Sequence, residues 1–382
     1  MFFDGNGEAV DWILGYDPPA ENFRAQVDKV LRGVDTFKSL MQAFAKDAGA
    51  VETVFKLGQK YTDRYDSAKA AEFYKKVIAL DPDGKKGMTE YNGGKVSFTQ
   101  YTEFILGGAA LSARPPDPAA LLAFVKKYSE GRIVQDAYAQ MSRGYFVRTA
   151  PKDQAAAFFA EYTGRYPHDV ASLTAWVQRI LLDKEPIDKG IELAEKAKAL
   201  MEAQAAAAPK PSGAAVPAVP MGGGPSLELN LGRLYALKGD KAKAIAVIDQ
   251  AAKAAGDNTR TISSIAQAYI DISADDKALA LYGPEFLKKN IGMAAVLGPY
   301  ASFWARQEKN LDSALVAAKK AVEAAPDGSA GWMTLANVYM ALKNGPEAIK
   351  AADTALVKTP EAQKAMIQRQ VDQIKSKAAA IK

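Results

Sequence analysis

A chain of 382 residues is too long for one compact core, so it points to two or three domains or to an elongated repeat array. With 48% hydrophobic and 24% charged residues, wholesale disorder is excluded, and Ala-rich stretches tilt the chain towards helix. A net charge of +5 is too small for the basic footprint that a phosphate backbone needs, and zero cysteines with one histidine exclude disulfides, thiol chemistry and multi-histidine zinc sites.

Residues 2–34 begin with Phe2-Phe3, a turn at Asp4-Gly5-Asn6-Gly7, and Val10-Asp11-Trp12-Ile13-Leu14 before Gly15-Tyr16, which predicts a β-hairpin. Pro18-Pro19 then opens a helix with Phe23, Val27, Val30 and Leu31 on one face, up to Gly33. A hairpin and one helix bury too little apolar surface to stand alone. The segment resembles the last two strands and closing helix of a thioredoxin-like domain. That resemblance covers residues 1–34, under a tenth of the chain. It implies a redox Cys-x-x-Cys and a cis-proline on an earlier part of such a domain, and this sequence holds neither.

From residue 35 to 202 the pattern is helical. Val54, Leu57-Gly58, Tyr61, Ala70, Tyr74, Val77 and Pro82 mark two amphipathic helices with small residues where they would touch. Residues 85–118, with Tyr91, Phe98, Tyr101, Phe104 and Gly107-Gly108 before Pro115-Pro116, are expected as a looser helical pair. Residues 135–170 and 171–202 keep helical spacing but lose several small anchors. His168, in Arg165-Tyr166-Pro167-His168-Asp169, reads as a loop residue near a helix start. Residues 203–225 hold 8 Ala, 5 Pro and 4 Gly in 23 positions, a composition that cannot bury a core and predicts a linker.

Beyond the linker the same two-helix pattern recurs about every 34 residues. Gly232, Tyr235, Ala244, Ile248 and Ala251 are followed by Ala266, Tyr269, Ala278 and Tyr282. A 36-residue step then gives Ser302, Ala305, Ala314, Ala318 and Pro326, and a further 34 gives Ala336, Tyr339, Ala348, Ala355 and Pro360. Each proline closes a second helix, because the residue before proline disfavours the helical conformation. Residues 361–382 carry a narrow stripe of Ala365, Met366 or Ile367, Val371 and Ile374, which suits a terminal capping helix. These slots resemble the tetratricopeptide repeat, in which small residues let paired helices approach and a bulky residue fills the groove between them. The fold class expected is therefore all-α. It is a helical-hairpin solenoid in two blocks, residues 35–202 and 226–382, behind the hairpin and helix of 1–34.

The signatures of catalysis are missing. No Gly-x-Ser-x-Gly, Ser-x-x-Lys or His-Glu-x-x-His occurs, and Met221-Gly222-Gly223-Gly224 lacks the lysine of a phosphate loop. Asp81-Pro82-Asp83-Gly84 would need a carboxylate at the twelfth position of a calcium loop, where Asn92 stands. No catalytic residue, metal or cofactor is expected. What the resemblance implies instead is binding on a concave face lined by the first helix of each pair. In this sequence those slots include Leu229, Arg233, Arg260, Gln267, Tyr300, Phe303, Met333 and Asn337. The expected partner is a peptide segment of another protein, gripped by the apolar members and oriented by Arg233 and Gln267. A second reading makes the chain the substrate-recruiting C-terminal part of a thioredoxin-like thiol-disulfide oxidoreductase whose redox centre is absent from it. No stretch reaches the roughly 18 apolar residues of a membrane span, and MFFDGNGEAV lacks a secretory pattern. The expected location is cytoplasmic as the sequence is written, or extracytoplasmic for a chain truncated at its N-terminus.

Overall fold

Small residues at recurring positions set how the helices of this chain pair. The computed structural model describes residues 1–13, 15, 19–207, 226–256 and 258–381. The chain forms two compact units, Met1–Arg179 and Ile180–Lys382.

In the first unit, β1 (Phe2–Phe3) and β2 (Ala9–Asp11) pair antiparallel with Phe2 opposite Asp11, and α1 (Ala20–Leu31) follows. Gly33, at φ +69°, ends that helix in the left-handed region. Next come α2 (Phe37–Lys46), α3 (Val51–Asp63) and α4 (Ser67–Leu80). The α3–α4 contact is made at Gly58, where a Cβ would lie 2.7 Å from the Tyr74 ring. Around it Val54, Phe55, Leu57, Phe73, Tyr74 and Val77 close a buried cluster.

Residues 85–118 depart from the helical pair expected there. They form β3 (Met88–Tyr91) and β4 (Gly94–Ser97), an antiparallel hairpin with Tyr91 opposite Gly94, before α5 (Phe98–Leu111). The cause is Asn92-Gly93. Both residues sit at positive φ, +47° and +81°, making the two-residue turn whose twist matches paired strands. α6 (Ala119–Lys127) then packs on α5, and α7 (Arg132–Met141) widens into a π-turn at Ser142–Phe146 before α8 (Lys152–Arg165). The Phe146 ring stacks on Phe158 at 3.9 Å, beside Tyr138 and Tyr162. α9 (Val170–Asp183) carries the chain into the second unit.

The second unit starts earlier than the linker would suggest. α10 (Ile187–Ala207) packs against α11 (Ser226–Leu237). Tyr235 donates its hydroxyl to Glu195 at 2.6 Å and Lys238 pairs with Asp188 at 2.7 Å. The helix expected to close the first block therefore belongs to the second. Residues 203–207 complete α10, and the rest of the predicted linker lies outside the described residues. Beyond α11 come α12 (Lys241–Ala255), α13 (Thr259–Asp271), α14 (Asp275–Tyr282), α15 (Pro284–Asn290), α16 (Ala294–Gln307) and α17 (Leu311–Ala324). The array ends with α18 (Ser329–Ala341), α19 (Gly345–Val357) and α20 (Glu361–Ala378). Where the repeat step lengthens to 36 residues, the second helix breaks at Gly283 into α14 and α15. α20 covers the last pair with Val371, Ile374 and Ala378, the capping role read from its stripe.

One turn is used repeatedly between the two helices of a pair. Tyr65, Gly239, Ser273 and Lys343 each stand seven residues after the small residue of the first helix, and each has φ between +55° and +91°. The next backbone N–H folds back onto a tyrosine carbonyl: Asp66 to Tyr61, Asp240 to Tyr235, Ala274 to Tyr269 and Asn344 to Tyr339, at 2.8–3.0 Å. Asp66, Asp240 and Asn344 then cap the second helix through their side chains. The repeat read from helix-packing residues is thus written a second time in the turns.

Candidate functional site

The first helices of the second unit touch in series, α11 on α13, α13 on α16, α16 on α18 and α18 on α20. The face they share was expected to have an apolar centre. The structure corrects this for three residues: Leu229 is 3% exposed, Phe303 4% and Tyr300 0%. Tyr300 points between helix pairs, its ring centroid 5.1 Å from Tyr282, and its hydroxyl accepts from Asn310 at 2.8 Å. Phe303 stands edge-on to Tyr282 and Trp304 at 5.2 and 4.9 Å. Leu229 lies in the same core cluster. These side chains fill the interior, so a partner cannot reach them without unpacking the array.

Polar members of the predicted set lie on a different surface. Arg233 Nε donates to Asp271 at 2.7 Å, and its Nη1 donates to Asn230 at 3.0 Å. Gln267 Nε2 donates to the other oxygen of Asp271 at 2.8 Å and its Oε1 accepts from Gln307 at 2.7 Å. A hydrogen-bonded row therefore crosses α11, α13 and α16. Arg260 is exposed on the first turn of α13 and does not join it.

Met333 and Asn337, on α18, border two neighbouring cavities. One, of about 420 Å³, is lined by Met333, Asn337, Met340, Gln370, Gln373, Ile374 and Lys377. The other, of about 440 Å³, is lined by Ser302, Ala305, Arg306, Glu308, Asn337, Met340, Ala341 and Lys377. Asn337, Met340 and Lys377 belong to both, so the two form one groove bounded by α16, α18 and α20. Its cations are Arg306 and Lys377, both exposed. Arg306 Nε reaches only its own helix, the Ser302 carbonyl at 3.3 Å, among the described contacts. Two thioethers and several amides complete a lining that is adaptable as well as polar.

The repeat slots did not single out Arg306, Met340, Gln370, Gln373 or Lys377. A signal for the last three was present, because residues 370, 373 and 377 fall on one face of the capping helix at helical spacing. Among the described residues no three His, Asp or Glu side chains converge as a metal ion would need, and no helix is long and apolar enough to cross a membrane.

Residues 305–370 match the tetratricopeptide repeat family. The match runs from the end of α16 into α20 and so takes in most of the groove. No curated protein matches the chain. Among solved structures, yeast Tom70 is similar at 15% identity over 85% of this chain and 61% of its own, with a TM-score of 0.45. The Cut9–Hcn1 hetero-tetramer of the APC/C is similar at 13% identity over 92% and 59%, TM-score 0.36. The yeast Sti1 TPR2AB domain, solved with pHSP90, is similar at 17% identity over 65% and 100%, TM-score 0.27. The chain spans about three-fifths of the length of the first two. The all-α helical-hairpin solenoid expected from sequence is the architecture found. The thioredoxin-like resemblance read at residues 1–34 finds no support in these comparisons, since the family match covers residues 305–370.

Proposed function

We propose that this chain is a non-catalytic protein-interaction module that holds a peptide segment of a partner protein in the groove between α16, α18 and α20. The observation that carries the reading is the joining of two cavities at Asn337, Met340 and Lys377, with Arg306 at one side. Methionine side chains supply apolar contact that adapts to shape, the Asn and Gln amides bond an extended backbone, and two cations against the single carboxylate of Glu308 favour a segment bearing carboxylates. Arg233 and Gln267, held in the row that leads to Gln307, extend the polar surface along the same series of first helices. Leu229, Tyr300 and Phe303 stiffen the wall rather than touch the peptide.

The test is fluorescence polarisation with a library of ten-residue peptides that combine Leu or Met with one or two carboxylates. Peptides that bind should bind the Arg306→Glu/Lys377→Glu variant roughly tenfold more weakly, a change of about 1.4 kcal/mol. An unchanged affinity, or no binder in the library, overturns the reading.

A further inference from the structure

We propose that the basic end of α3 in the first unit is a second docking site, for an acidic extended segment of a partner protein, and that the chain's own N-terminal hairpin fills it in the free state. This does not rest on the groove, which lies in the other unit. Asp11, the last residue of β2, is 2% exposed. One carboxylate oxygen accepts from Lys60 and the other from Arg64 at 2.9 Å. The Arg64 guanidinium lies over Phe37 at 4.1 Å and over Trp12 at 5.0 Å. A carboxylate is therefore seated between two cations and two aromatic rings, a built receptor for an acid.

The rest of the hairpin is held in the same way. Asp4 and Glu8 both bond Lys38, at 2.7 Å each, and that contact keeps the Asp4 carboxyl below its ordinary value. Three carboxylates thus meet three cations, while the strands are two and three residues long and Met1 and Phe3 stay exposed. So short a hairpin is marginal without its anchors. Val10, Trp12 and Ile13 are only half-buried, so the attachment leans on its ion pairs, which another acid of the same kind can exchange. Beside the clamp a cavity of about 450 Å³ opens between residues 11–13, α1 and the Lys56, Gln59 and Lys60 side of α3, giving a longer segment room to continue. Lys56 is already committed to Asp35 and Glu52. Asp63 also borders the cavity, its carboxyl raised by the loss of surrounding water, against which Lys60 and Arg64 pull it down.

The experiment measures fluorescent hexaglutamate binding to the full chain by polarisation. All proteins carry the Arg306→Glu/Lys377→Glu change, so that the other groove is weakened and its contribution is the same throughout. Asp11→Asn, which weakens the hairpin and leaves both cations, should bind about tenfold more tightly than its parent. Adding Lys60→Gln and Arg64→Gln should remove the gain, and raising salt from about 50 to about 300 mM should weaken it. Lys38→Gln, which loosens the hairpin away from the clamp, should show a smaller gain. Hydrogen exchange of Asp11→Asn should quicken in residues 9–13 and stay unchanged in α3 and α4. No gain for Asp11→Asn, a gain that survives loss of Lys60 and Arg64, or quickened exchange throughout α3 would each overturn the proposal.

Discussion

A first helix packed on a second tolerates only hydrogen at Gly58 and Gly232; a Cβ at Gly232 would lie 2.7 Å from Ile248. Tyr300 and Phe303 occupy slots that sequence spacing assigns to the open face. Yet aromatic side chains on a helix lean back over the preceding turn, and here that lean carries both rings into the interior. Phe303→Ala should therefore act on stability, costing about 3–5 kcal/mol in thermal or urea unfolding of the second unit. A charged example is Asp249, which accepts from Tyr269 at 2.5 Å and Lys277 at 2.7 Å. Burial raises its carboxyl, but the bonds from Lys277 and Tyr269 outweigh this and leave it below the ordinary value. The stability it adds is complete above the ordinary carboxylate range and fades as pH falls through the lowered value. Asp249→Asn, at a site about one-third exposed, should cost about 1 kcal/mol at pH 7 and progressively less as pH falls below the ordinary carboxylate range in urea unfolding.

At the scale of the element, the pair is defined as much by its turn as by its helices. The left-handed residue is glycine at Gly239 but Tyr65, Ser273 and Lys343 at the equivalent positions. A side chain in that conformation costs about 1 kcal/mol against glycine. Tyr65 is 82% exposed, so little packing is lost on its removal. Tyr65→Gly should raise the stability of the first unit by about 0.5–1 kcal/mol, read as a higher denaturant midpoint with an unchanged slope. The hairpin at residues 88–97 was hidden for the opposite reason. Tyr91, Phe98, Tyr101 and Phe104 recur at near-helical intervals, and that regularity masks the Asn92-Gly93 turn that decides the local structure. The capping helix shows a third case: its buried stripe was readable, while its part in the groove depends on where α18 places Asn337 and Met340.

For the whole molecule, the division falls at Arg179 and Ile180, within α9 and well before the Ala/Pro/Gly stretch. Composition marks where a chain cannot pack, and it says nothing about which helices pack across the gap. α10 and α11 do so through Gly190 against Leu234, Tyr235 with Glu195, and Lys238 with Asp188. A protease site engineered between residues 208 and 225 and then cut should leave the two fragments together on size-exclusion chromatography at low salt. Separation of the fragments would show that the seam depends on its covalent link.

The row from Asn230 through Arg233, Asp271 and Gln267 to Gln307 is assembled from three successive first helices. Exchange of α13 for the matching helix of an unrelated protein would strand an arginine on one side and a glutamine on the other, however well the new core filled. The repeats are alike in outline and yet not interchangeable parts, so drift at Asp271 is tied to what its two neighbours can accept.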